Sequence, residues 1–177
     1  MSTAPARFAC VATPPGPFTV VVTTGPEGED VVLASGWTDD VSDLLPVVHR
    51  SLRPTWVERA DGLPVLDVVA AFTAGDVAAI HAVPVRQRSG PFLTDAWGVL
   101  RTVPAGRPDT YAEFAARCGR PAAVRAAAGA CARNAAALFV PCHRVLATGG
   151  GLGGFRWGTP VKRWLLDHEA EHAPVGV

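Results

Sequence analysis

The sequence predicts two parts: a small α/β domain over residues 1–88 and a mainly α domain built on a helix-turn-helix over residues 89–177. Three observations carry this. Two runs of β-branched residues, Phe18–Thr23 and Asp30–Ser35, flank the turn Gly25-Pro-Glu-Gly28 and precede a helical pattern. A capping box at Thr110–Glu113 is followed by a short helix, Gly119 and a second helix, which is helix-turn-helix spacing. The charge also changes sign between the halves. Residues 1–88 hold 6 basic and 10 acidic residues, and residues 89–177 hold 10 basic and 6 acidic, so a net charge of zero is made of −4 and +4. All ten basic residues of the second half lie between Arg101 and Arg163, and nine are arginine, which suits phosphate forks. The second half is therefore expected to meet a polyanion and the first half is not.

With 177 residues the chain has ample apolar content for real cores. No apolar run approaches the ~20 residues of a membrane span. The N-terminus, Met1-Ser-Thr-Ala-Pro-Ala-Arg-Phe, lacks the charged-then-apolar order of a signal peptide, so a cytoplasmic protein is expected. The four cysteines, Cys10, Cys118, Cys131 and Cys142, are isolated from each other and from histidine pairs. That excludes the usual zinc spacings, and a reducing compartment disfavours disulfides.

In the first half, Pro14-Pro-Gly-Pro17 reads as a turn and the two β-branched runs as a hairpin. Leu63–Phe72 fits a helix with Val65, Val69 and Phe72 on one face, closed by Gly75. Ile80–Val85 reads as an edge strand because of Pro84. His49 and His81 stand alone, and Arg86–Pro91 reads as a linker.

The second half opens on a helix with Phe92, Ala96, Val99 and Leu100 on one stripe. The capped helix from Thr110 runs to Arg117 and stops at Gly119 in the left-handed conformation. Arg120-Pro121 is expected to open the next helix, with proline at its first position. That helix, Ala122–Ala130, is almost all alanine and glycine, with Arg125 the one long side chain. It is thin enough to press into a groove of DNA and let Arg125 project. Asn134 should tie it to the strand delivering Cys142.

Leu138-Phe-Val-Pro-Cys142-His143-Arg144-Val145 carries the chemistry. Cysteine is a strong nucleophile only as thiolate, and a neighbouring imidazole is a common means of making one. Gly149–Gly158 lacks the Lys-Ser/Thr of a phosphate loop and reads as backbone that approaches a planar ligand closely. Thr159-Pro160 caps the last helix, whose inward stripe is Val161, Trp164, Leu165 and His168. Glu169, four residues after Leu165, also points inward and needs a partner, for which histidine is the natural choice. Cys142, His143 and Glu169 then form nucleophile, base and orienter.

Pro141-Cys-His-Arg-Val145 resembles the signature of the O6-alkylguanine-DNA alkyltransferases. Phe92 with Trp97, Val103-Pro with Gly106, Thr110-Tyr111, Arg125, Asn134, Gly153–Gly158, Lys162, Trp164-Leu-Leu and His168-Glu169 fall in that family's order. The likeness is strong over residues 90–170. The first half matches loosely, through Thr13–Phe18 and Ala71-Phe72 before Gly75. The resemblance implies a ribonuclease-H-like first domain without catalysis and a winged helix-turn-helix second domain. It also implies a monomer without a cofactor that binds double-stranded DNA from the minor groove; some members hold zinc in the first domain, but Cys10 has no partners in this sequence, so no metal is expected. Its activity would be single-use transfer of the alkyl group of O6-alkylguanine, and of O4-alkylthymine, to Cys142. By the same resemblance Glu169 orients His143, His143 deprotonates Cys142 through water, and Tyr111 assists the departing oxygen and steers the phosphate. Asn134 supports the site, and the backbone of Cys142 and Val145 and the amide near Arg156 read the guanine. Trp157 narrows the pocket, Arg125 fills the space of the flipped base, and Ala126, Gly129 and Arg133 belong to the DNA-binding face. Ala135 stands where many members have proline. Three alternatives are weaker. A non-catalytic alkyltransferase-like lesion binder would lack the cysteine, a Cys-His hydrolase would need an oxyanion hole, and a plain DNA-binding regulator would leave Glu169 unexplained.

Overall fold

The computed structural model describes residues 5–175, so Met1–Ala4, part of the N-terminal reading above, lies outside them. Eleven helices and strands are used here: β1 (Ala6–Thr13), β2 (Gly16–Thr24), β3 (Asp30–Gly36), β4 (Val57–Arg59), α1 (Val65–Thr73), α2 (Pro91–Leu100), β5 (Asp109–Thr110), α3 (Tyr111–Arg117), α4 (Val124–Ala132), β6 (Val145–Leu146) and α5 (Thr159–His172). No helix among the described residues is long and apolar enough to cross a membrane.

The first sheet has the order β3-β2-β1-β4, antiparallel except for the parallel pair β1–β4. The expected hairpin is β2–β3. The turn at Pro14-Pro15 closes a second hairpin, because β1, which the sequence reading left unassigned, pairs with β2 from Arg7–Val22 to Thr13–Gly16. Helix α1 packs on this sheet with Val65, Val69 and Phe72 buried as expected, and Gly75 follows at φ 111°. Asp30 ties strand to helix: one carboxylate oxygen accepts from Arg7 at 2.8 Å and the other from the Val65 amide at 3.2 Å, at the open start of α1.

Every residue of β3 is buried although β3 is an outer strand. Two segments cover its edge. Val32 donates to the Pro84 carbonyl and accepts from Arg86, both at 2.9 Å. Ser35 donates through its amide to Ala135 at 2.9 Å and through its hydroxyl to Ala137 at 2.7 Å, and accepts from the Ala137 amide at 3.2 Å. The strand expected at Ile80–Val85 is instead a 3-10 turn over Ala79–Ala82, with only Val85 bridging to Val32. Pro84 has no amide to donate, so a full ladder could not continue there.

In the second half the capping box forms as expected: Thr110 accepts from the Glu113 amide and Glu113 from the Thr110 amide, at 3.2 and 2.7 Å. Gly119 stops the helix at φ 74°. Helix α4 begins at Val124, later than expected, with Pro121 in the preceding turn; no side chain caps it. Helix α5 begins at Thr159 after Gly158 at φ 95°, so Thr159 lies inside the helix and is not its cap. Strands β5 and β6 pair in parallel, Asp109 with Val145. The main core runs through both halves, from Phe18 and Phe72 to Phe114, Phe139 and Leu165.

Candidate active site

Cys142 sits at a corner, as Pro141 suggests, at the first position of a 3-10 turn, Cys142–Arg144, though no regular strand delivers it. The chain reaches it through an irregular loop whose start, Ala135–Ala137, is bonded along the edge of β3. Leu138, four residues before the cysteine, is the one non-glycine residue with positive φ among those described, at 76°. Such a backbone costs about 1–3 kcal/mol and persists only where the surroundings enforce it. Here Leu138 and Phe139 are buried, and Phe139 lies against Phe18 of β2.

Asn134 organises the loop. Its amide nitrogen donates to the Val140 carbonyl at 2.7 Å and to the Cys142 sulfur at 3.2 Å. Its oxygen accepts from Gln87 at 2.9 Å and from the Ala136 amide at 3.1 Å. Gln87 completes the arrangement by accepting from the Ala135 amide at 2.8 Å. The segment read as a linker thus fastens the nucleophile loop.

Cys142 borders a cavity of about 320 Å³. Tyr111, Cys131 and Ala132 line it together with Phe155, Arg156 and Trp157. Tyr111 is placed by the capping box behind it and by the β5–β6 pair, which runs directly on from Arg144. Arg117 secures that pair through a two-pronged bond to Asp109 at 2.6 and 2.9 Å. Gly153, at φ 70°, passes so close to the Tyr111 ring that a Cβ there would stand 3.1 Å from its hydroxyl oxygen. The glycine-rich loop therefore serves a close approach, though first to Tyr111. Trp157 rests against Gly36 at the end of β3, where any Cβ would overlap its indole.

His143 and Glu169 stand behind the cysteine, both fully buried, with Nε2 and Oε1 2.9 Å apart. No hydrogen bond joins His143 to Cys142, and His143 Nδ1 is buried without a partner. Glu169 also accepts from Arg144: Nε lies 3.1 and 3.0 Å from its two oxygens and Nη2 2.8 Å from Oε1. The Arg144 Nη1 donates to the Val103 carbonyl at 2.7 Å. Burial alone would raise the Glu169 carboxyl, but the hydrogen-bonded His143 and Arg144 outweigh it and bring it down to about 2.

Burial raises the Cys142 thiol above its ordinary value, although Asn134, Lys162 and Arg156 act the other way. Burial likewise raises Tyr111, helped by the nearby cysteines, and raises Cys131 strongly. Burial lowers Lys162, whose Nζ donates to the Val145 carbonyl at 2.7 Å.

Of the residues singled out from sequence, Cys142, Asn134, Tyr111, Arg156 and Trp157 border the cavity, and His143 and Glu169 support it from behind. Val145 is buried and does not line the cavity; its carbonyl accepts from Lys162 instead. Arg125 and Ala126 project from the exposed face of α4, opposite the buried Ala127 and Ala130, while Gly129 is half-buried. Arg133, which ends α4, is exposed and outside the cavity. Sequence reading missed Arg144, Lys162, Gln87 and Cys131. Lys162 did carry a signal, since with Leu165 and Glu169 it shares one helical face. No group of three metal-binding side chains exists among the described residues.

Two thiols, Cys142 and Cys131, border one cavity beside the paired helices α3 and α4, and Cys142, bonded by Asn134, is the candidate nucleophile of a cysteine-dependent protein. Residues 91–171 match the family described as 6-O-methylguanine DNA methyltransferase, DNA binding domain. A methylated-DNA–protein-cysteine methyltransferase of Salmonella typhimurium is 33% identical over 162 residues, covering 90% of this chain and 92% of that protein. The regulatory protein ada of the same organism is 38% identical over 139 residues; the match covers 77% of this chain and 38% of that longer protein. A Mycobacterium tuberculosis OGT solved in complex with DNA is 28% identical, with a TM-score of 0.73 over 95% of each chain. The chain belongs to the methylated-DNA–protein-cysteine methyltransferase family.

Proposed function

We infer that this protein repairs DNA directly, moving the alkyl group from O6 of guanine in a duplex to Cys142, one group per molecule. The observation that carries this reading is Cys142, bonded by Asn134, bordering a base-sized cavity that the thin helix α4 also lines. An alkylated base inside a duplex cannot reach it, so the nucleotide is extruded, at a cost of a few kcal/mol in stacking. Arg125, exposed on α4 with small residues on either side, enters from the minor groove and takes the vacated place.

The resting thiol is protonated because it is buried. His143 receives its proton: Glu169 accepts from Nε2–H, which leaves the lone pair on Nδ1, the atom without a partner. A water between Nδ1 and the sulfur carries the proton across. The resulting thiolate attacks the sp3 carbon, the S–C bond forms as the C–O bond breaks, and the electron pair returns to the guanine. Tyr111, kept protonated by burial, donates to the departing oxygen. The thioether is stable, so Cys142 is consumed.

Several finer features support this reading. The order β3-β2-β1-β4 with α1 against it fits a ribonuclease-H-like first domain over residues 1–88. The β5–β6 pair beside α3 and α4 fits a winged helix-turn-helix over 89–177. One molecule holds all the site residues, so a monomer suffices.

The test is incubation with a duplex carrying labelled O6-methylguanine, followed by peptide mass spectrometry. Label on Cys142 that stops at one equivalent is expected. Label elsewhere, turnover beyond one equivalent, or activity in Cys142→Ser would overturn the reading.

A further inference from the structure

A second cavity, about 300 Å³, is lined by residues of both halves and shares Arg156 with the first. Four arginines border it, Arg86, Arg88, Arg133 and Arg156, together with His49 and Gln87. No aspartate or glutamate lines it, and none of these four arginines is in an ion pair among the described residues. All four are exposed. Arg88 reaches only the Ser51 hydroxyl, at 3.3 Å, and Arg156 only the Ala132 carbonyl, at 2.8 Å. Arginine cannot relieve such crowding by losing a proton. Four fixed positive charges around one hollow without a counter-charge form a receptor for an anion, and planar guanidinium forks match the oxygens of phosphate.

We propose that this cavity is a binding site for a phosphate of the DNA backbone, and that Arg86 and Arg88 carry the DNA path from the helix-turn-helix onto the N-terminal half. The proposal rests on the repair reading above. Position decides between DNA and a small free anion. Arg156 borders both this cavity and the one that Cys142 borders, and Arg133 is where α4 ends. The nucleotide whose base enters the first cavity brings its flanking phosphates within reach of the second. Gln87, on this cavity's wall, holds Asn134 and through it the Cys142 sulfur. Occupancy would therefore be felt at the nucleophile loop. The expectation that the acidic first half avoids the polyanion gives way at this one edge, where two of its six basic residues gather.

The test uses the whole protein and a duplex with one O6-methylguanine. Duplex affinity is measured against salt for the wild type, for Arg86→Gln/Arg88→Gln, and for Arg86→Lys/Arg88→Lys. The Gln pair should flatten the slope of log K against log[salt] by about 2, one per lost phosphate contact, and the Lys pair should keep most of it. An unchanged slope in the Gln pair, while the wild type still transfers methyl, would overturn the proposal and leave the repair reading intact. A wild type that transfers nothing would instead sink that reading. A parallel arm measures thermal stabilisation by inorganic phosphate against chloride at equal ionic strength. Stabilisation lost in the Gln pair without any change in the duplex slope would make this a small-anion site and would also overturn the proposal.

Discussion

Glu169 accepts from His143 and from two nitrogens of Arg144, all inside the core, so Glu169→Gln keeps the volume and removes the charge. Arg144 would then be a buried cation without its counter-charge, a loss of about 3–5 kcal/mol by the usual cost of breaking such a pair. His143 would face a neutral amide, which can present NH2 as readily as oxygen, in place of the acceptor-only carboxylate that fixes its tautomer. The expected outcome is a lower thermal midpoint together with loss of single-turnover transfer; a variant with wild-type rate would remove Glu169 from the mechanism. The same carboxylate sets an acid limit. Its folded-state value is lowered from the ordinary 4.5 to about 2. Its stabilisation is therefore complete above about pH 4.5 and is lost as pH falls towards 2. Urea titrations across that window should show the wild type losing stability more steeply than Glu169→Gln. Equal slopes would mean that Glu169 is not the group responsible. Asn134→Ala makes a separate case. It strips the sulfur of its donor and leaves Gln87 and the Ala136 amide without an acceptor, so slower transfer and about 1–3 kcal/mol less stability are expected in a denaturant melt.

Among the elements, α4 is where folding and function separate most cleanly. Its buried face is Ala127 and Ala130, and Trp97 of α2 donates to the Ala130 carbonyl at 2.9 Å. The opposite face, Arg125 and Ala126, packs on nothing in the free protein. Ala126→Leu should leave the melting point nearly unchanged and weaken duplex binding, because the added bulk meets only the groove. Arg125→Ala should slow reaction with duplex while sparing reaction with a free O6-alkylguanine base. Equal losses on both substrates, read from single-turnover rates, would deny Arg125 its role in extrusion. Elements like these were legible in the sequence because local rules decide them: the capping box, the Gly119 stop, the inward stripe of α5. Where tertiary contacts decide, the reading failed. The strand β1 has no sharp alternation and is defined by pairing with β2. The segment after Ile80 has strand composition but turns away at Pro84. The start of α4 moved because Pro121 suits a turn as well as a helix. The contact of His143 with Glu169 behind Cys142 was visible from motif and spacing; Arg144 reaches the same carboxylate from the next position, and Gln87 bonds Asn134 from 47 residues away, which periodicity cannot register.

On the scale of the whole molecule, the N-terminal half is part of the active site although it donates no reacting group. The edge of β3 carries Ala135–Ala137, and the end of the same strand, Gly36, underlies Trp157. Gly36 lacks the left-handed backbone that would demand glycine, so the requirement for hydrogen there is spatial and comes from the indole. Gly36→Ala would put a methyl group where the ring lies. The strand is buried and bonded on both sides, whereas Trp157 sits on a loop after Phe155-Arg156, so the ring is the part that moves. Overpacking of this kind costs about 1–3 kcal/mol. The displaced ring leaves the cavity lining, and the cavity widens towards the glycine-rich loop. Trp157→Gly should widen it by the same route without the strain. Both variants should therefore react faster than the wild type with a bulky O6-benzylguanine and little differently with O6-methylguanine. Measuring the two substrates in parallel separates pocket width from damage to the nucleophile, since damage would slow both. If Trp157→Gly accelerates the benzyl reaction and Gly36→Ala does not, the indole stays in the pocket despite the methyl group, and the strand has yielded instead.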